Sequence, residues 1–309
     1  MNQNYKSGFV TLIARPNVGK STLMNHLIGQ KISITSNKPQ TTRNCIQTVL
    51  TTEEGQIVFV DTPGIHKAKN KLGEYMEKCV KNATVDTDVI VIVLDGTKRI
   101  GDTDIAFIDK YLKISKAPVY VVVNKTDEAS YEKIYPILDK ISFLLSEHDG
   151  IRPVKDIIPT SAKRGKNVDV LKTALKSELS EGDMFFPADE YTDKSERYMI
   201  CEIVREKALM LLNDEIPHGI AVYIQRMFYE DNGVAHIICD IVVERDSHKA
   251  IVIGKGGEKL KAIGERARRD IEKLLDTKVF MEMFVKVRDN WRNDNIVMND
   301  VGYDPKNIK

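Results

Sequence analysis

An α/β domain with a mostly parallel sheet and helices on both faces, followed by a smaller α+β domain, is the fold this sequence predicts. Three observations predict it. Between residues 8 and 176, short apolar runs alternate with segments of helical periodicity, the pattern of strands buried on both faces and of the helices that cover them. The first apolar run, Phe9–Ile13, leads through a Gly-containing turn into a helix-like run from Lys20, the strand-turn-helix context of a phosphate-binding loop. After residue 195 the pattern changes to helix, hairpin, two helices and a strand.

Taken in order, the expected strands of the first domain are Phe9–Ile13, Ile57–Val60, Val89–Leu94, Val119–Val123 and Asp156–Pro159. Cys45–Leu50 is an additional strand, joined to Ile57–Val60 by the turn Glu53-Glu54-Gly55. Helices are expected at 20–29, 71–84, 103–114, 131–145 and 168–179. The stretch Ser180–Ser195 is acidic and punctuated by Gly182 and Pro187, so it reads as a linker. Beyond it come a helix at Glu196–Leu212, a hairpin of Gly219–Tyr229 and Val234–Glu244 around Asp231-Asn232-Gly233, helices at His248–Val252 and Glu258–Leu275, and a strand at Val279–Val287. The order is α-β-β-α-α-β. The domains are therefore set at 6–177 and 196–290, with a linker at 178–195 and a C-terminal tail at 291–309.

The composition narrows the class. A chain of 309 residues, 42% hydrophobic and 29% charged, is globular and long enough for two cores. Cys45, Cys79, Cys201 and Cys239 lie far apart with no CxxC pair, which argues for free thiols in a reducing cytoplasm and against a disulfide framework or zinc site. Met1–Ser7 has no apolar signal-peptide core, and no apolar run is long enough to span a bilayer. Peripheral contact with a membrane stays compatible with this. The net charge is only +1, but Arg245–Arg292 carries thirteen Lys/Arg against eight Asp/Glu, so the basic excess lies in the second domain.

The chemistry-bearing stretches each follow an expected strand, where ligands sit in sheets of this kind. Ala14, Arg15, Pro16, Asn17, Val18, Gly19, Lys20, Ser21 and Thr22 have the layout of a phosphate loop. Inward-pointing N–H groups and the dipole of the following helix would hold an anion. Lys20 would reach the β- and γ-phosphates and the Ser21 hydroxyl would ligate a magnesium ion (Mg2+). The motif ordinarily opens with Gly; here Ala14 stands, small enough to fit if its φ is negative. Asp61-Thr62-Pro63-Gly64 offers a carboxylate near that metal and a Gly64 N–H for a γ-phosphate. Asn124-Lys125-Thr126-Asp127 places a carboxylate where guanine can donate twice, from its ring N–H and its amine, and adenine cannot. Ser161, Ala162 and Lys163 supply a loop whose backbone N–H could meet the guanine carbonyl. In Lys38-Pro39-Gln40-Thr41-Thr42-Arg43, a threonine hydroxyl could complete the metal shell; Thr41 and Thr42 compete, and Thr42 is favoured.

These stretches, in this order, make the first domain resemble GTPases of the translation-factor type. Ala14–Thr22, Pro39–Arg43 and Asp61–His66 resemble the Era family in particular. The resemblance implies GTP and Mg2+, with Lys20, Thr42 and Asn17 in catalytic roles. Ile65 stands where Ras-like enzymes place a water-orienting Gln, so slow intrinsic hydrolysis is expected. Relatives carrying Asn at the Asn17 position often use a potassium ion (K+) near the phosphates in place of an arginine finger.

Gly254-Lys255-Gly256-Gly257, between two expected helices, is a GxxG loop; Lys259 and further basic residues follow. The region resembles a KH domain of the type with its hairpin first, a module that binds about four unpaired nucleotides. Gly254, Lys255, Gly256, Gly257 and Lys259 are the expected RNA contacts. The pairing of the two domains, with Ile203–Lys207 and Glu215–His218 between them, resembles the Era family over roughly residues 8–303. It implies a monomeric ribosome-assembly GTPase that binds GTP or GDP and the 3′ end of small-subunit ribosomal RNA (rRNA) within a pre-ribosomal particle. The competing expectation is an RNA clamp switched by nucleotide occupancy, with hydrolysis incidental.

Overall fold

The computed structural model describes residues 5–36, 38, 40–65, 68–146, 154–212 and 216–308. Pro39, His66 and Glu215, quoted above for the resemblance, lie outside these residues. The first unit is built from β1 (Lys6–Ala14), α1 (Lys20–Ile28), β2 (Ile46–Thr52), β3 (Gly55–Asp61), α2 (Lys71–Ala83), β4 (Val89–Asp95), α3 (Asp102–Ile114), β5 (Val119–Asn124), α4 (Tyr131–Ser146), β6 (Val154–Pro159) and α5 (Val168–Glu178). Its strand order is β2-β3-β1-β4-β5-β6, with β2 antiparallel to β3 and the other pairs parallel.

The near-continuous apolar runs are explained by two cores, one on each face. Leu12, Val91, Val93 and Val122 meet Leu23, Leu27, Leu171 and Leu175 of α1 and α5. The alternate residues Ile13, Ile90, Ile92 and Val121 meet Phe107, Ile108, Leu112 and Ile141 of α3 and α4. With a side-chain period of two, a strand buried on both faces has no polar face to show.

A short strand, β7 (Ser180–Glu181), pairs antiparallel with β1. It opens the stretch expected as a linker, which lies instead along the first sheet. The Gln56 side chain donates to the Phe186 carbonyl and accepts from the Phe185 and Phe186 N–H groups, at 2.7–3.0 Å. The N–H of Val49 on the edge strand β2 donates to the Tyr191 carbonyl at 2.9 Å. An open strand edge invites pairing with another chain, and this segment covers it.

The second unit comprises α6 (Glu196–Leu211), β8 (Ala221–Tyr229), β9 (Ala235–Val243), α7 (Asp246–Ile253), α8 (Glu258–Leu275) and β10 (Val279–Val287). The sheet order is β10-β9-β8, parallel between β10 and β9 and antiparallel between β9 and β8. Ala235, Ile237, Cys239 and Ile241 share a core with Val204 and Ala208 of α6 and Ile263, Ala267 and Ile271 of α8. The α-β-β-α-α-β order matches the expectation.

The stretch expected as a tail is folded. Trp291 is fully buried and donates its indole N–H to the Gly219 carbonyl at 2.8 Å. It is followed by α9 (Asn295–Asp300). Trp291, Met298, Val301 and Tyr303 pack against Leu72, Tyr75, Met76 and Cys79 of α2 and against Ala221 and Val242 of the second sheet. This wedge joins the two units.

Candidate nucleotide site and RNA groove

Strand ends position the first site. The loop between β1 and α1 turns through Asn17 at φ 66° and Gly19 at φ 90°. A β-carbon on Gly19 would lie 2.4 Å from the Asn124 amide nitrogen, so glycine is required there by conformation and by space. Asn tolerates the left-handed region better than most residues, which accounts for Asn17 locally. Ala14 is absent from the positive-φ residues and is fully buried. Its carbonyl accepts from the Ile65 N–H at 2.9 Å, which brings Gly64 against Pro16. The N–H groups of the first turn of α1 have no partner within the helix, so they face the loop as anion donors. Residues 15–22, 34–36, 40–42 and Gly64 line an open cleft at this loop.

Three oxygen-bearing side chains converge below the loop. The Ser21 hydroxyl lies 3.0 Å from the Thr42 hydroxyl and donates to Asp61 at 3.3 Å. Lys20 forms an ion pair with the fully buried Asp61. Hydroxyl and carboxylate oxygens are the donors Mg2+ accepts, and it commonly uses only a few of them alongside substrate phosphates. No cluster of three or more His, Cys, Asp or Glu suited to a metal occurs among the described residues. The Thr41 hydroxyl donates to the Lys38 carbonyl at 2.7 Å, so it is Thr42 that meets Ser21.

A second cluster is stitched to the first. Asn124 is buried; its amide donates to the Val18 carbonyl at 2.8 Å and accepts from the Ala162 N–H at 2.9 Å. It therefore braces the two loops, with one amide N–H left over. Lys125, at φ 66°, donates to the Asn17 carbonyl at 2.6 Å and pairs with Asp95 at 2.7 Å. Burial pushes the Asp95 carboxyl up, but hydrogen bonds from Lys125 and Thr97 outweigh it and hold it below its ordinary value. Asp127 accepts from the Ser161 hydroxyl at 2.6 Å, and that bond holds its carboxyl below the usual range. Arg15 points elsewhere, to Asp104 and Thr103 of α3 at 2.7 and 2.9 Å, and Lys163 faces Glu128 at 3.5 Å.

Asp95 was missed by sequence reasoning, although an acidic residue closing the apolar run Val89–Leu94 was a usable signal. Arg205 and Arg43 were missed too. Arg205 of α6, clamped by Glu202 at 2.7 Å, donates to the Thr41 carbonyl. Arg43 is buried, donates to the Ile220 and His218 carbonyls at 2.6 and 2.9 Å, and lies over the Trp291 and Tyr303 rings. Both neighbours of Thr42 in the chain are thus bonded to the second unit or its wedge. Thr35 donates from its N–H to Glu206 at 2.9 Å, which adds a third tie.

The GxxG loop lies apart from these clusters, between α7 and α8. Gly254, Gly256 and Gly257 all have positive φ, at 75°, 61° and 83°. A β-carbon on Gly254 would press on Lys259 at 3.0 Å, whereas Gly256 and Gly257 face open space. The loop opens onto a groove between α8 and the edge strand β10, bordered by Gly257, Lys261, Gly264, Arg268, Phe280 and Met283.

Known proteins share both halves. The family described as 50S ribosome-binding GTPase matches residues 9–125, and the KH domain family matches residues 215–292. GTPase Era of Clostridium botulinum (strain Eklund 17B / Type B) is 51% identical over 302 residues, 98% of this chain and 100% of that protein. GTPase Era of Clostridium beijerinckii is 47% identical over 301 residues, 97% of this chain and 98% of that one. A crystal structure of Era in complex with MgGDPNP and nucleotides 1506–1542 of 16S ribosomal RNA is similar with a TM-score of 0.91 at 38% identity, covering 97% of this chain and 99% of that one. A variant of Aquifex aeolicus Era bound to GDP.AlF4- is equally similar, with a TM-score of 0.91.

Proposed function

The chain belongs to the Era family of GTPases, and from that premise we propose that its nucleotide state gates the binding of single-stranded RNA, the 3′ end of small-subunit rRNA on a pre-ribosomal particle. The observation that carries this reading is the pair of ties beside Thr42: Arg205 on the Thr41 carbonyl, and Arg43 on the backbone at His218 and Ile220. A γ-phosphate that draws Thr42 toward the metal must load both ties. The relative solved with 16S ribosomal RNA supports the choice of RNA.

In this reading the phosphates lie against residues 14–22, with Lys20 turned from Asp61 to the β- and γ-phosphates and the Gly64 N–H on the γ-phosphate. Ser21, Thr42 and Asp61 would hold Mg2+, which would neutralise charge on the phosphate oxygens. Asp127 accepts from the guanine ring N–H and amine, while the Ala162 loop faces the guanine carbonyl. Asn124, Lys125, Ser161 and Lys163 shape that pocket. A monomer working in the cytoplasm is the form we propose; membrane contact is no part of this reading.

The gate is tested by measuring RNA affinity with a non-hydrolysable GTP analogue and with GDP. The two should differ within the roughly 5- to 150-fold range of ordinary coupling. Removing Arg205 alone strands a buried carboxylate, a change that costs about 3–5 kcal/mol. The double variant Arg205→Met, Glu202→Gln avoids this and should bring the ratio toward one. Equal RNA affinities of the unaltered protein in both states would overturn the gate.

Hydrolysis carries a separate expectation. Ile65 is packed against the apolar core under α3 and its N–H is committed to Ala14, so it offers no polar help to water. Asn17 is exposed on the phosphate loop and can bring K+ to the phosphates. Turnover in K+ should exceed that in Na+ at equal ionic strength by roughly tenfold, about 1.4 kcal/mol off the barrier. Equal turnover would leave Asn17 with its conformational role alone. If turnover also fails to respond to rRNA, the switched clamp with incidental hydrolysis becomes the better reading.

A further inference from the structure

Three aromatic rings stand in a row across the face of the second sheet that is turned away from its helices. Phe228, His236 and Phe280 are direct cross-strand neighbours on β8, β9 and β10. Phe228 and His236 are stacked, with centroids 5.0 Å apart and planes at 23°. His236 and Phe280 follow at 4.9 Å and 32°. The Arg226 guanidinium lies over the Phe228 ring at that end of the row, 4.7 Å from its centroid. His236 is also held by Glu230 at 2.8 Å. The other end is open: β10 is the sheet edge, and Phe280 remains 51% exposed.

Burial does not explain Phe280. It stands outside the core shared by Met281, Met283 and Val285 with the helices. It does border the groove that begins at Gly257. We propose that the outer face of the Phe280 ring is a stacking platform for one unpaired RNA base, placed where the strand leaves the GxxG groove. This rests on the RNA-binding reading above and adds a residue to it. The two rings behind Phe280 hold it at a fixed angle, so little side-chain freedom is lost when a base arrives.

The test uses the full chain with a GTP analogue and short single-stranded RNAs carrying 2-aminopurine at successive positions. One position should be quenched on binding. Phe280→Leu keeps an apolar side chain but removes the ring; quenching at that position should vanish and affinity should fall roughly 5- to 150-fold, the range for stacking on an aromatic. The salt dependence should not change, because no phosphate contact is removed. Phe280→Trp should restore both quenching and affinity. Unchanged quenching and affinity in Phe280→Leu would overturn the platform and leave the GxxG reading standing. A reduced salt slope would overturn it as well, by making the site a backbone contact. Failure of the unaltered protein to bind any of the RNAs would remove the RNA reading together with the platform.

Discussion

Asp127→Asn should lower GTP affinity roughly 10²- to 10⁴-fold and shift preference toward xanthosine triphosphate. The carboxylate would accept two guanine hydrogen bonds, and bonds to a charged group contribute about 1.5–3 kcal/mol each. An amide in its place presents an N–H to the guanine amine, donor against donor. Xanthine carries a carbonyl at that position and accepts it. The Ser161 hydroxyl already donates to Asp127 at 2.6 Å. The amide oxygen can still accept that bond, so the loop should keep its shape. Competition binding with the two triphosphates gives the answer directly, and an unchanged GTP preference would show that the base is read elsewhere.

Replacing Lys255-Gly256 with Asp-Asp should weaken single-stranded RNA binding at least roughly 10²-fold, since like charges set against each other in an interface cost several kcal/mol. The structure makes this variant informative. Gly256 has φ 61° with no atom within 4 Å of an added β-carbon, and Asp is among the residues that tolerate that backbone region. The loop should therefore fold, and a loss of binding reports charge and close approach. Lys259→Ala is the contrast: it removes at most one phosphate contact and should lower the salt slope by about 0.7. Neither change touches the first unit, so GTP affinity should hold in both. RNA bound as tightly by the acidic variant, at matched salt and thermal stability, would reduce Gly254–Gly257 to a turn between helices.

What the sequence made legible was local. Each nucleotide-site motif is a few consecutive residues closing an apolar run, and a parallel sheet gathers such ends on one edge whatever else the chain does. Thr41 and Thr42 could not be separated that way, because neighbouring hydroxyls look alike until one is seen bonded to the Lys38 carbonyl. Asn124 reads from its short polar motif as a ligand group, and its added part as a brace, through Val18 and Ala162, needed the structure to be seen. Arg205 falls within the quoted stretch Ile203–Lys207, but its role left no local trace, since its partner Thr41 lies 164 residues away in the chain. The same holds for 180–193 and 291–303. An acidic, Pro-containing stretch reads as free linker until the strand edge it covers is known, and a lone Trp does not announce the helix it will meet.

The wedge at 291–303 has a bearing on how the molecule is made. Its contacts with α2 span most of the chain; the Lys71 N–H, for example, donates to the Asn293 side chain 222 residues away. Contacts between such distant partners form late, after the segments within each unit have found their neighbours. Joining of the two halves can therefore be completed only once residues 291–303, which supply one side of the wedge, have been made. Under the proposed gate, any coupling carried by Arg43 against Trp291 and Tyr303 therefore waits for the C-terminal segment to dock.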